Sequence, residues 1–256
     1  VRRVLSRTLA QVIQCVADFL VDDACHLCSV RHGGPPRELH RFQRAIAAPA
    51  LVSPVPGVSV VNHPVCERCA SGLETTRARE VLGPLPVDGG PTIRVHAPFR
   101  TNETLLRVIH LVKFGRLRSL LPGAAQAVAL CAESAVRRLE RPVIVPIPMD
   151  RRAVRQRGFN QSTEIGAWLG DHWGIIVAAD ALLKPHPTRP QSLTPPGERA
   201  ANVRDAFCAG PGRVSGCDVL LVDDLVTTGA TASAATVILA ARGAASVTVA
   251  SLGMAL

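Results

Sequence analysis

Apolar residues in this chain come as short runs of differing period, separated by stretches rich in Pro and Gly. Residues 143–147 and 219–222 are continuously apolar, the pattern of strands buried on both faces. Residues 92–99, 175–177 and 246–252 also have strand character. Between these runs the apolar positions take a helical period. They predict helix over 103–138, broken near Pro122-Gly123, from Gly158 to about Leu169, and over 230–242 up to a stop at Gly243. Strands alternating with helices predict a parallel sheet with helices on both faces.

The N-terminal part reads differently. Leu5, Leu9, Val12, Val16, Phe19 and Leu20 fall on one helical face. Arg2, Arg3 and Arg7 precede this stretch as in a targeting signal, but Gln11, Gln14 and Asp18 interrupt it and no clean cleavage site follows. No run reaches the ~18 uninterrupted apolar residues of a membrane span. The expectation is a soluble, cytoplasmic protein with no membrane insertion. A breaker-rich link, Gly83-Pro84-Leu85-Pro86 through Asp88-Gly89-Gly90-Pro91, divides an N-terminal module (1–90) from a larger domain (91–256).

Composition narrows the partners. Hydrophobic residues make up 47% of the 256, ample for a core, which excludes wholesale disorder. A formal charge of +9 points to anionic partners, either phosphorylated small molecules or nucleic acid. Of the 29 basic residues only Lys113 and Lys184 are lysines. Arginine suits bidentate phosphate contacts, and a GC-rich genome produces the same skew.

The most informative stretch runs from Val219 to Thr231. Asp223 and Asp224 sit at the end of a predicted strand, and Thr227-Thr228-Gly229 opens into a helix beginning at Ala230-Thr231. Helix N-terminal N–H groups beside hydroxyl donors suit a phosphate monoester. Acids a few residues away can accept hydrogen bonds from a pair of sugar hydroxyls. Together they describe a ribose 5-phosphate site. Acid pairs also end Walker B strands and receiver strands, but the chain has no G-x-x-x-x-G-K-[ST] loop, and a receiver's acids and lysine come in another order.

Two connections are too charged or too long for plain turns. The first, 146–161, carries Arg151, Arg152, Arg155 and Arg157 and leads into a helix. At a strand's C-terminal end it reads equally as a pyrophosphate site or as a solvated basic loop. The second, 184–205, includes Arg189, Gln191, Arg199, Asn202 and Arg204 and reads as a lid.

Four of the eight cysteines form two C-x-x-C pairs, Cys25/Cys28 and Cys66/Cys69. Four thiolates suit tetrahedral structural Zn²⁺. The 37 residues between the pairs exceed the ~15–20 of a compact ribbon, so residues 31–64 would loop out. His26, His32 or His63 can replace a cysteine ligand, and a redox role or chance proximity of thiols are the other readings.

The 219–231 stretch closely resembles the signature by which type I phosphoribosyltransferases bind phosphoribosyl pyrophosphate (PRPP). With Ile147-Pro148, Arg151-Arg152, the run Arg157-Gly158-Phe159-Asn160-Gln161, Pro190-Gln191-Ser192-Leu193, Arg199, Asn202-Val203-Arg204 and Phe207, the chain resembles the ComF/GntX family. Lys113-Phe114-Gly115 matches that family's Lys-aromatic-x-Gly pattern loosely. The resemblance implies an N-terminal cysteine zinc module joined to a type I phosphoribosyltransferase-like domain, and a role in DNA uptake for several members.

Three readings follow. In the first, the chain transfers ribose 5-phosphate from Mg²⁺-bound PRPP to a nitrogen acceptor and releases pyrophosphate. Thr227, Thr228, Gly229, Ala230 and Thr231 hold the 5-phosphate in that reading. Asp223 and Asp224 hold the ribose hydroxyls and favour positive charge on the ring, and Arg151, Arg152, Arg157 and lid residue Arg199 neutralise the pyrophosphate. In the second, the same site serves a non-catalytic PRPP-sensing or single-stranded-DNA-handling protein. Aromatic residues at 3% leave few stacking platforms for bases. A degenerate structural domain is the third.

Overall fold

The computed structural model describes residue 69 and residues 72–74, 79–82, 92–114, 118–185 and 206–255. The chain divides into two units, Val1–Gly72 and Leu73–Leu256. Cys25, Cys28, Cys66 and Arg199 lie outside the described residues, and Cys69 is half-buried.

The second unit is built on a six-stranded sheet in the order β1-β2-β8-β7-β4, with β3 also pairing β8. The strands are β1 (Arg79–Leu82), β2 (Thr92–His96), β3 (Phe99–Arg100), β4 (Pro142–Pro146), β7 (Asp218–Val226) and β8 (Ser246–Met254). All pairs are parallel except the antiparallel edge pair β1–β2. A separate two-residue ribbon joins β5 (Leu182–Leu183) to β6 (Cys208–Ala209). The helices are α1 (Glu103–Phe114), α2 (Leu121–Val136), α3 (Arg151–Arg157), α4 (Gln161–Trp173) and α5 (Ala230–Ala241).

Central strand β7 explains the layering. Val219, Leu220, Leu221 and Val222 are each at most 1% exposed, and alternate side chains leave on opposite faces. Val219 and Leu221 join Val143, Val145 and Val249 against α5, through Ala232, Ala235 and Leu239. Leu220 and Val222 join Ile144 and Ala250 against α1, α2 and α4, through Leu105, Ile109, Val128, Ile165 and Leu169. Each fully buried leucine or valine contributes ~1.5–3 kcal/mol, so the hydrophobic run drives this strand to the centre.

Several boundaries differ from those expected. The helix over 103–138 breaks before Pro122, with α1 ending at Phe114 and a 3₁₀ turn at Arg118–Leu120. Pro122 lies in the first turn of α2, where its missing N–H has no intrahelical acceptor to lose. The basic connection contains a two-turn helix, α3, whose N-cap Asp150 accepts a hydrogen bond from the Ala153 N–H at 2.9 Å. Gly158 ends α3 in the left-handed conformation (φ 84°), so the next helix begins at Gln161 rather than at Gly158. Strand 175–177 reduces to a single bridge between Val177 and Ile144. Strand 92–99 is split at Ala97-Pro98 into β2 and β3. β7 and β8 pair through Val226 and Met254, so Asp223 and Asp224 lie within a strand longer than the hydrophobic run.

Candidate functional site

Ligands of open α/β sheets bind beyond the carboxyl ends of the strands, and the acids of β7 lie at that end. From Asp223 the chain runs three residues to Val226, turns at Thr227-Thr228-Gly229 and enters α5. Gly229 N-caps α5 with φ 75°, a conformation that costs a residue with a Cβ roughly 1–2 kcal/mol. The turn brings the start of α5 to the same cleft as the acids. The Thr228 hydroxyl accepts from the Ala230 N–H at 3.4 Å. No acid sits in the first turn of α5, so its N-terminal N–H groups and dipole retain their pull on an anion.

A cleft of about 260 Å³ lies here, lined by Lys113 and by Asp223 through Ala232. Seven of the residues expected from sequence thus share one cavity: Asp223, Asp224, Thr227, Thr228, Gly229, Ala230 and Thr231. Thr227 and Thr228 are exposed, while Asp223 and Asp224 are half-buried on the cleft wall.

The two acids are held differently. Asp223 Oδ1 accepts the Asp224 backbone N–H at 2.8 Å and the Ser162 hydroxyl at 3.4 Å. Ser162 is presented by the start of α4, where Asn160 Oδ1 accepts the Ser162 N–H and Asn160 Nδ2 donates to the Ile147 carbonyl. Burial, and then the negative charge of Asp224 beside it, push the Asp223 carboxyl up to about 7. Asp224 instead forms an ion pair, Oδ2 to Lys113 Nζ at 2.6 Å.

Sequence reasoning gave Lys113 no role beyond a loose motif match, and Ser162 none. A signal for Lys113 was present. It is one of only two lysines in a chain of 29 basic residues. The other, Lys184, is half-buried with its ammonium 5.7 Å from the Phe207 ring. Burial lowers its pKa, and the charges of Asp150 and Asp223 act in the opposite sense.

Of the arginines expected at a pyrophosphate, the three among the described residues, Arg151, Arg152 and Arg157, do not line this cleft. Arg151 and Arg152 are exposed on α3. Arg157, half-buried, places its guanidinium 5.1 Å from the Phe114 ring and donates to Met149 Sδ at 3.8 Å. Its neighbour Phe159 lies under Arg118 at 5.0 Å, and Arg118 pairs with Glu164 at 2.6 Å. The end of α1 and the turn after it are thus pinned to the α3–α4 segment, which keeps Lys113 beside β7.

Among the described residues, no group of three or more His, Cys, Asp or Glu side chains is suited to hold a metal ion. No helix among them is long and apolar enough to cross a membrane.

The fold is a mainly parallel α/β domain with a cleft at the carboxyl ends of its strands, between an acid pair and a helix N-terminus. Over 198 residues the chain is 31% identical to the DNA utilization protein YhgH of Escherichia coli K12, covering 72% of this chain and 82% of that protein. The Shigella flexneri protein of the same name is 30% identical over the same shares. The chain belongs to the ComF/YhgH family. No family model matches it. Among solved structures, an allosteric regulatory enzyme of purine biosynthesis overlaps 52% of this chain and 25% of its own, at 24% identity and a TM-score of 0.36. A Staphylococcus aureus hypoxanthine phosphoribosyltransferase overlaps 51% of this chain and 61% of its own, at 14% identity and a TM-score of 0.31. Overlaps this slight add nothing to what the topology itself shows.

Proposed function

We propose that this chain is a PRPP-binding protein of DNA utilization, built on a type I phosphoribosyltransferase-like domain and acting by binding rather than by transfer. The observation that carries the ligand is the single cleft that joins a helix N-terminus to two acids. A 5-phosphate accepts hydrogen bonds from the first-turn N–H groups of α5 and from the hydroxyls of Thr227, Thr228 and Thr231. The vicinal ribose hydroxyls donate to Asp223 and Asp224. Arg151, Arg152 and Arg157, with Arg199 of the 184–205 connection, are the cations proposed for the diphosphate. Mg²⁺ accompanies PRPP on its diphosphate and neutralises part of that charge. The cleft offers such a ligand the hydroxyls and N–H groups of Thr227 through Thr231 beside the carboxyls of Asp223 and Asp224.

The DNA role is supported by the relatives' name and by the net charge of +9. Exposed arginines on α3 suit a phosphodiester backbone, and contact of that kind weakens steeply with added salt. The same acid pair favours a second reading, transfer of the phosphoribosyl group to a nitrogen acceptor. Carboxylates beside the ribose would stabilise positive charge developing at the anomeric carbon. A structural Zn²⁺ on Cys25, Cys28, Cys66 and Cys69 remains a proposal for the N-terminal module, tested by metal analysis of the purified protein.

The deciding experiment is calorimetric titration with PRPP and Mg²⁺, alongside an Asp223→Asn/Asp224→Asn variant. Saturable binding that the variant loses supports the ligand assignment, and no binding to folded wild type refutes it. Pyrophosphate release on adding nucleobases would move the transfer reaction ahead of the binding role.

A further inference from the structure

Lys113 enters the cleft from the last turn of α1, an element remote in sequence from every other residue that lines it. Its ammonium lies 2.6 Å from Asp224 Oδ2, and both side chains are largely sheltered, 24% and 16% exposed. Phe114, the next residue, is held 5.1 Å from the Arg157 guanidinium, so the helix end that carries Lys113 is anchored. A lysine at a helix C-terminus commonly does no more than complement the helix dipole. Here it instead meets one specific oxygen of one acid of a pair.

We propose that Lys113 is a positioning residue of the cleft: it claims Oδ2 of Asp224 and leaves Asp223 as the acid of the pair with no cation of its own among the described residues. The division has a geometric basis. Asp223 Oδ1 already accepts two hydrogen bonds, from the Asp224 N–H and the Ser162 hydroxyl, but its carboxyl has no ion pair of its own among the described residues. Two carboxylates side by side cannot both ionise freely, and Asp223 is the one whose charge is suppressed.

The groups acting on Asp223 come from several elements. Asp224 on the same strand opposes its ionisation, while Lys113 on α1, Ser162 on α4 and Lys184 beyond β5 favour it. The flanking strands β4 and β8, and helix α5, carry no charged side chain. Asp223 titrates at about 7 in this setting. Losing the Lys113 cation moves that titration upward.

The consequence for ligands rests on the reading that the cleft takes a ribose 5-phosphate group. A sugar diol donates hydrogen bonds, so it binds best when both acids are free to accept. Its affinity therefore rises with pH until Asp223 has released its proton. Inorganic phosphate fills the cradle but has no diol, so it reports phosphate ionisation and the repulsion from Asp223, and the difference between the two ligands isolates the diol.

The test is calorimetric titration of wild type, Lys113→Met and Lys113→Arg with ribose 5-phosphate and with inorganic phosphate, across neutral pH. Carboxyl-carbon NMR titration of the aspartates in the ligand-free proteins accompanies it. In wild type, the preference for ribose 5-phosphate over phosphate should grow by about tenfold per pH unit below the midpoint and level off above it. In Lys113→Met the midpoint should move upward, and Lys113→Arg should return it toward wild type. An unchanged midpoint in a folded Lys113→Met protein overturns the proposal. If ribose 5-phosphate binds at no pH, the ribose reading falls. The ligand-free titration then decides the role of Lys113 on its own, since Asp223 should still shift upward in the Met variant.

Discussion

Replacing Asp223 by Asn should stabilise the protein, and the gain should depend on pH. Asn has nearly the same shape, and its Oδ1 can still accept the Asp224 N–H and the Ser162 hydroxyl. What it loses is the capacity to ionise. In the folded protein the carboxyl rises from 3.8 to about 7 because burial and Asp224 disfavour its charge. Between those values the native state holds a proton that the unfolded chain gives up. Wild-type stability therefore falls as pH rises through this window, and the loss is complete above the folded-state value. At ~1.4 kcal/mol for each pH unit, the ceiling is ~4 kcal/mol, and relaxation around a coupled pair leaves ~2–4 kcal/mol as the expected gain. Urea unfolding of both proteins from about pH 4 to about pH 8 measures it. The curves should coincide at the acid end and diverge with pH, the variant being the more stable. Parallel curves would refute the assignment of a suppressed charge at Asp223. The same variant should lose affinity for ribose 5-phosphate, so stability and function oppose each other at this position.

Gly229→Ala places a Cβ at φ 75° and should destabilise the folded protein by ~1–2 kcal/mol, as read by urea unfolding. Gly166 and Gly170 lie one turn apart on α4 and should respond oppositely in thermal unfolding. A Cβ at Gly170 would meet Val177 Cγ2 at 2.5 Å and the Ile175 carbonyl oxygen at 2.9 Å, and Gly170→Ala should cost ~1–3 kcal/mol. A Cβ at Gly166 would find Ile144 Cγ2 at 3.4 Å, an ordinary contact, so Gly166→Ala should be neutral or stabilising by up to ~1 kcal/mol. Arg151→Gln/Arg152→Gln should reduce single-stranded DNA binding and flatten its salt dependence in fluorescence anisotropy. Loss of the cradle's phosphate affinity in the same variant would contradict the placement of these arginines outside the cleft.

What the sequence by itself determined is the part of the molecule that is local. Within residues 219–231 the strand, the acids, the turn and the start of α5 follow one another with no intervening insertion, so their spacing carried the site's layout. The alternation of apolar runs with helical periods likewise sufficed for a parallel sheet covered on both faces, because burying such strands requires helices on each side. Tertiary structure decided what depends on partners remote in the chain. The two-residue ribbon β5–β6 and the continuation of β7 past Val222 exist through pairing with strands remote in the chain, and their own residues carry no strong period. Helix α3 is nearly all polar and charged, so no apolar face announced it, and its Asp150 cap and Gly158 stop define it instead. Lys113 reaches Asp224 only because α1 packs across the sheet through Leu105, Ile109 and Val112. The suppressed charge of Asp223 is likewise a tertiary property, set by burial and by the acid beside it, with a cation that folding brings from another element acting in the opposite sense.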